Sequence, residues 1–557
     1  MAKNSKRPQK QQKAPKTSQV TEPNKGWYLV PTFLERYLEK PYFGFALGAL
    51  YAVIILLIAI PNYQVGPYFS VVTDFYWDYV PSAEQFQQGN VNIDDYRGPG
   101  YPGMLGLVGF VIQDLFTAGM VIAAASAGVF LFLLYELISR LFRKDLALGV
   151  TLLTAVNPHF VKYAYNPGTD MFFAALVAGA LFFLLKNQSI NYRDLGIAAL
   201  LTAVAYLTRY NGAFIVIFVP IAIGLFNVYH ASIPDRVKSS AYFIALFFLF
   251  ITPWGIHCYQ QEGDFFYNKN YENVAYEVYA KGEMGWDEFW YGEGVDVNSM
   301  GETIMKDPAE FFGNVFYNIP SHFWGDMEKL IGWEVGWLTI LGLALFVGLV
   351  ARRAYMPNRQ QWAFFLFFIM FFSVLLLVFH GPRFSLFLIP FYLLLGFQLF
   401  TFEQLRLDRL VSQFRWVPVV ILALGIFTLS NAYEENSEQM DTGTAHLMEI
   451  KEQFDRQFTY EERQGMTVAA RQPHIGYVLD LDFTRLPHEQ DYNAIMEELR
   501  EDEVDFLFMG LIELSQWRQL QFLANPNEAP EGLQPIVTLP QDRQTQRPPI
   551  NLYRIVY

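Results

Sequence analysis

Residues 73–102 read TDFYWDYVPSAEQFQQGNVNIDDYRGPGYP, a run of acids, aromatics and rigid turns inside an otherwise very hydrophobic sequence. Asp74 and Asp78 are separated by three residues, so a helical segment would set both carboxylates on one face, where either could take a proton as general base. Asp94, Asp95 and Arg97 lead into Gly98-Pro99-Gly100-Tyr101-Pro102, whose prolines fix φ and whose glycines allow tight bends. Three further places set charge beside a break in apolar sequence: Asn166-Pro167-Gly168-Thr169-Asp170, Thr208-Arg209-Tyr210-Asn211-Gly212 and His380-Gly381-Pro382-Arg383. A single arginine at such a break can simply reach for lipid head groups, and a single charged loop is most often just solvated. Arg97, Arg209 and Arg383 gathered with Asp74, Asp78 and Asp170 would instead make a phosphate-binding cavity beside a general base.

What could gather them is a membrane. Of 557 residues, 53 % are hydrophobic and 17 % charged, and the apolar ones come in long blocks, which marks a polytopic α-helical membrane protein. Spans are expected near 43–60, 115–139, 146–163, 170–186, 194–208, 211–229, 239–257, 334–351, 362–380, 384–402 and 416–431. The first lacks a small-residue cleavage site and reads as a retained anchor. Ahead of it, residues 1–40 carry Lys3, Lys6, Arg7, Lys10, Lys13, Lys16 and Lys25 in a low-complexity, disordered tail that stays cytoplasmic. With eleven spans, every later connection on that side is basic: Arg140, Arg143 and Lys144; Lys186 and Arg193; Arg236 and Lys238; Arg352, Arg353 and Arg359; Arg406, Arg409 and Arg415. The membrane body then covers 41–432, with outer loops 61–114 and 259–332, and the candidate acids and arginines share the extracytoplasmic side.

The loop 259–332 is rich in Tyr, Trp, Asn and Gly; Asp307-Pro308 should open a helix, and Trp324, Trp333 and Trp337 suit a membrane interface. Its aromatics could equally stack on sugar faces. Residues 433–557 alternate strand-like and helix-like pieces, as a small soluble α/β domain does, and contain neither G-x-G-x-x-G nor G-K-[ST], so no nucleotide is assigned. The net charge of −14 comes mostly from this tail and argues against nucleic acid as a partner. Cys258 is the only cysteine, which excludes an intrachain disulfide, and the eight histidines show no zinc-binding spacing.

Taken in order, these stretches resemble the membrane-embedded GT-C glycosyltransferases, in particular the bacterial branch related to protein O-mannosyltransferases and the lipid A aminoarabinose transferase. The resemblance rests on the acidic first outer loop with Asp74 and the Ala83-x5-Gly89 spacing, on Tyr96 to Pro102, on Asn157-Pro158 through Asp170, and on Leu207 to Gly212; Arg383 to Pro390 and Ala470 to Ile475 are similar to bacterial members. It covers residues 40–400 well and the tail loosely. Many relatives have adjacent Asp-Glu where this chain has Asp74 and Asp78 apart, so the family pattern does not assign the base. The resemblance implies transfer of a sugar from a polyprenyl-phosphate donor to an acceptor hydroxyl on a glycan, lipid or protein, with inversion, at the outer face of a cell's inner membrane. Asp74 or Asp78 would be catalytic, Arg97, Arg209 and Arg383 would hold the phosphate, and Tyr101, Asp170 and His380 would bind substrate. It implies no required cofactor, although some members of the wider class use a divalent metal. Two other classes fit the polytopic body and outer arginines: a transporter of an anionic amphiphile, and a different envelope-polysaccharide polymerase or ligase. The spans show no evident inverted repeat, which argues against the first, and the acidic pair after the first span argues against the second.

Overall fold

A computed structural model describes residues 36–63, 74–291, 294–401, 416–442, 445–488, 491–541 and 549–557. The basic tail before residue 36 and the connection with Arg406, Arg409 and Arg415 lie outside the described residues. The body is built from long apolar helices: α1 (Phe43–Asn62), α2 (Leu115–Leu141), α3 (Pro158–Tyr165), α4 (Thr169–Leu185), α5 (Tyr192–Thr208), α6 (Ile233–Glu262), α7 (Pro308–Gly325), α8 (Trp333–Ala351), α9 (Arg359–Leu375), the internally broken α10 (Pro382–Thr401) and α11 (Trp416–Thr442).

Helix occurs at each of the eleven expected spans, but the helices are shorter and more interrupted than an even series would be. Among the described residues, α1, α2, α6, α8 and α10 are each long and apolar enough to cross a bilayer, and α3 with α4 makes a sixth span only as a pair bent by 106°. The stretch 146–163 is cut at Asn157-Pro158, where the Asn157 side chain accepts from the backbone N–H of His159 and Phe160 and Pro158 begins a new helix. The bend follows Pro167-Gly168, and α9 stops five residues short of the expected end. These breaks are where the polar candidates Asp170, His380 and Arg383 sit. Close packing makes the body rigid. A Cβ on Gly48 of α1 would lie 2.2 Å from the Gly128 carbonyl oxygen of α2, an approach only glycine permits.

The C-terminal part carries five strands, β1 (Thr467–Ala470), β2 (Asp482–Arg485), β3 (Phe506–Met509), β4 (Leu533–Leu539) and β5 (Ile550–Ile555), in the order β2-β1-β3-β5-β4. β1 is parallel to β2 and β3, while β5 is antiparallel to β3 and β4. Alternate residues bury opposite faces: Val468, Ala470, Phe506 and Phe508 enter one cluster, Ala469, Leu507 and Met509 the other. Helices α12 (His474–Leu479), α13 (Tyr492–Glu501) and α14 (Leu511–Gln516) complete it. The α/β character expected from the tail is therefore present. β2 and α12 were not legible, being short, and α14 is followed by a 3₁₀ stretch, Arg518–Ala524.

The sheet packs onto the segment that follows Asp74 through α12 and β2. Tyr76 meets Tyr477 and His474 at ring distances of 4.5 and 5.0 Å, Trp77 meets Phe483 at 5.6 Å, and the Tyr477 hydroxyl donates to Asp114, the N-cap of α2, at 3.2 Å.

Candidate functional site

The segment after Asp74 is helical but not α-helical. Residues Phe75–Tyr79 form a π-turn closed by the Val80 N–H on the Phe75 carbonyl, a geometry that recurs at functional sites. The α-helical face expected to pair Asp74 with Asp78 is thus replaced by a wider turn, and the two carboxylates take different partners. Asp74 Oδ1 accepts from Arg97 Nη2 at 2.7 Å, and its Oδ2 lies 3.8 Å from Arg383 Nη2. Asp78, only 6 % exposed, accepts from Ser82 Oγ at 3.0 Å and lines a cavity with Asn92, Asp94 and Arg97.

Electrostatics separate the pair further. Burial pushes the Asp74 carboxyl up, but the charges of Arg97 and Arg383, the Arg97 hydrogen bond and Arg209 reverse this and hold it below its usual range. Burial and the nearby Asp94 charge push Asp78 up to about 7 against the pull of Arg97 and Ser82. One acid is therefore held ionised, and the other is poised near neutrality.

Four distant segments meet at Asp74. Arg97 reaches it because the next residue, Gly98, lies against the end of α5: a Cβ there would sit 2.2 Å from the Leu207 carbonyl oxygen. Arg209 caps the same helix end. Asp170, in the buried first turn of α4, accepts from Arg209 Nη1 at 2.8 Å and from Arg383 Nε at 3.1 Å. The result is a chain of alternating charges, Arg97–Asp74–Arg383–Asp170–Arg209, with 19–22 % of each arginine side chain exposed. These contacts engage one or two nitrogens of each guanidinium, so further N–H donors can turn to an anion.

Two expected site residues stand apart. Tyr101 is fully buried, packed on Tyr79 and Phe172 behind the acids. His380 Nε2 pairs with Asp326 at 2.9 Å, and its ring stacks on His322 at 4.1 Å; Asp326, 1 % exposed, also accepts from the Tyr392 hydroxyl at 2.8 Å. Asp326 was not read from the sequence, where it is one acid among aromatics. Also unread was the tie between the outer loops: Lys269 Nζ and the Tyr267 hydroxyl donate to Asp95 at 2.7 and 2.5 Å, and Tyr96 bonds Glu272. Nothing local in the sequence pairs residues so far apart. Among the described residues, no three of His, Cys, Asp or Glu converge as metal ligands would.

Open α/β sheets take ligands in a crevice at the carboxyl ends of strands where strand order reverses, which in this sheet are those of β1 and β3. A buried acid occupies that position here. The buried carboxylate of Glu513 accepts from the backbone N–H of Arg471 at 2.9 Å and of Gly510 at 3.1 Å.

The broken-helix body, its long loops and the C-terminal sheet share the fold of GT-C glycosyltransferases of known structure. Residues 97–257 match the family model described as dolichyl-phosphate-mannose-protein mannosyltransferase; the match spans Arg97, Tyr101, Asp170 and Arg209. In structure the chain resembles ArnT from Cupriavidus metallidurans bound to undecaprenyl phosphate, with a TM-score of 0.53 and 11 % identity over 93 % of this chain and 99 % of that one. It also resembles the archaeal oligosaccharyltransferase AglB from Archaeoglobus fulgidus in complex with an inhibitory peptide and a dolichol-phosphate, with a TM-score of 0.52 and 14 % identity over 84 % of this chain and 70 % of that one. No curated protein matches it in sequence.

Proposed function

We propose that this protein is a glycosyltransferase that moves a sugar from a polyprenyl-phosphate donor to an acceptor hydroxyl, with inversion, at the extracytoplasmic face of a cell's inner membrane. The observation that carries this reading is the Arg97–Asp74–Arg383–Asp170–Arg209 chain of partly exposed ion pairs. As the glycosidic bond breaks, charge develops on the departing phosphate, and guanidinium N–H groups already held in place by carboxylates can stabilise it without reorganising. ArnT bound to undecaprenyl phosphate and AglB with a dolichol-phosphate support a lipid-phosphate ligand for this fold. We assign the acceptor's proton to Asp74, which is ionised and accessible beside the arginines. Asp78 is the second candidate, favoured by its place on a cavity and a proton affinity near the working pH. The arginines supply the counter-charge that a divalent metal supplies elsewhere, so no metal enters this scheme.

In this reading the basic tail is cytoplasmic, 41–432 form the transferase body, and 433–557 form an extracytoplasmic domain that shapes acceptor access. Purified protein incubated with a panel of polyprenyl-phosphate sugars should release free polyprenyl phosphate with one of them. Donor binding without release, together with movement of intact lipid across proteoliposomes, would make it a transporter instead.

A further inference from the structure

The second outer loop ends in α7, whose two faces differ. Between Glu310 and Asp326 it contains no Asp, Glu, Lys or Arg. Asn314, Asn318 and His322 fall at helical spacing and turn inward. Asn318 Nδ2 donates to the Leu376 carbonyl at 3.0 Å, His322 stacks on His380, and one turn on Asp326 binds His380. This inner face therefore grips the segment 376–380 that leads into Arg383.

The outer face carries Phe312, Phe316, Tyr317, Ile319 and Trp324, with Phe316 68 % and Tyr317 72 % exposed. An uncharged aromatic surface of this extent is costly in water. It is also continuous with a membrane surface. α7 passes through the π-turn Asp326–Leu330 into α8, one of the helices able to cross a bilayer. Trp324 lies 5.9 Å from Trp333, which stacks on exposed Trp337 at 5.3 Å, an aromatic belt where α8 begins.

We propose that α7 lies flat in the bilayer interface on the side of the arginine cluster, with Phe312, Phe316, Ile319 and Trp324 among lipid acyl chains. The lipid bilayer then holds the outer face of the helix whose inner face holds the Arg383 segment. Only this bearing on Arg383 rests on the proposed function; the membrane placement does not.

The test uses full-length protein in nanodiscs of phosphatidylethanolamine and phosphatidylglycerol, with Cys258→Ser and a nitroxide at Phe316→Cys or, separately, Ile319→Cys. Leu341→Cys on α8 gives the lipid reference and Glu497→Cys on α13 the water reference. At 316 and 319, collision with oxygen should lie between the values at Glu497 and at mid-span Leu341, as interfacial depth requires, and collision with a water-soluble nickel chelate should fall several-fold below Glu497. Nickel access equal to Glu497 overturns the proposal. Low access to both reagents also overturns it, because it means that protein, a second copy or another partner, covers the face. If Phe316→Cys does not fold, the Ile319 label decides.

Discussion

The arginine cluster and the sheet crevice are both built around carboxylates, yet those carboxylates are engaged differently. In the crevice, Glu513 takes backbone N–H groups from the ends of β1 and β3, so donors that would face a ligand are already bound by the chain itself. In the cluster, Asp74 and Asp170 engage guanidiniums by only some of their nitrogens and leave them partly exposed. A self-satisfied carboxylate acts as a structural brace, whereas guanidiniums with unused N–H groups are able to take an anion, as the proposed function requires. The comparison assigns ligand chemistry to the membrane body and a supporting role to the sheet, and each half of that assignment can be broken.

The largest effect is expected at Asp74. Asp74→Asn keeps volume and reach but cannot take a proton, so turnover should fall by about 10²–10⁴-fold while donor affinity persists. Turnover at the parent rate in a folded Asp74→Asn protein, with a loss at Asp78→Asn, moves the base to Asp78. Asp170→Ala should come next, as a stability effect. It strips the buried partner from Arg209 and Arg383, and leaving those charges uncompensated costs about 3 kcal/mol, read as a lowered melting temperature. Arg97→Ala should weaken donor binding by about 1.5–3 kcal/mol, the range of a charge-assisted hydrogen bond. Unchanged donor affinity there would remove the phosphate from this end of the cluster.

Asp78 offers a pH test. Its folded pKa of about 7 lies above the ordinary aspartate value of 3.8, so the native state holds a proton that the unfolded state has released between those values. Stability from this group is fully present below pH 3.8 and is lost as pH rises through 7. Asp78→Asn should therefore raise the melting temperature more at pH 8 than at pH 5. Equal shifts at both values would show that Asp78 ionises as freely in the folded protein as outside it.

Much of this was legible in the sequence for identifiable reasons. Long apolar blocks and basic flanks mark helices whatever packs around them, and charged residues at Pro-Gly breaks stand out against that background, so Arg97, Asp170, Arg209 and Arg383 could be singled out and grouped by side. What sequence periodicity could not carry was a departure from the α-helical period. The π-turn at Phe75–Tyr79 gives Asp74 and Asp78 different partners and electrostatics, although four-residue spacing suggested one shared face. Pairings such as Asp326 with His380 or Asp95 with Lys269 depend on where distant loops fold, and no local signal announces them.

The smallest expected effect belongs to the crevice and tests the other half of the comparison. Glu513→Gln retains an oxygen that can accept one of the two backbone N–H groups, but presents an amide N–H₂ to the other. Replacing a charge-assisted pair by one neutral hydrogen bond should cost the sheet domain on the order of 1 kcal/mol. Donor affinity and turnover should not change, because the backbone N–H groups that Glu513 accepts belong to Arg471 and Gly510 at the strand ends of the sheet. If donor affinity instead falls in protein whose melting temperature is unaltered, the crevice takes part in ligand binding. The distinction between a filled brace and an open site then fails at the point where it was drawn.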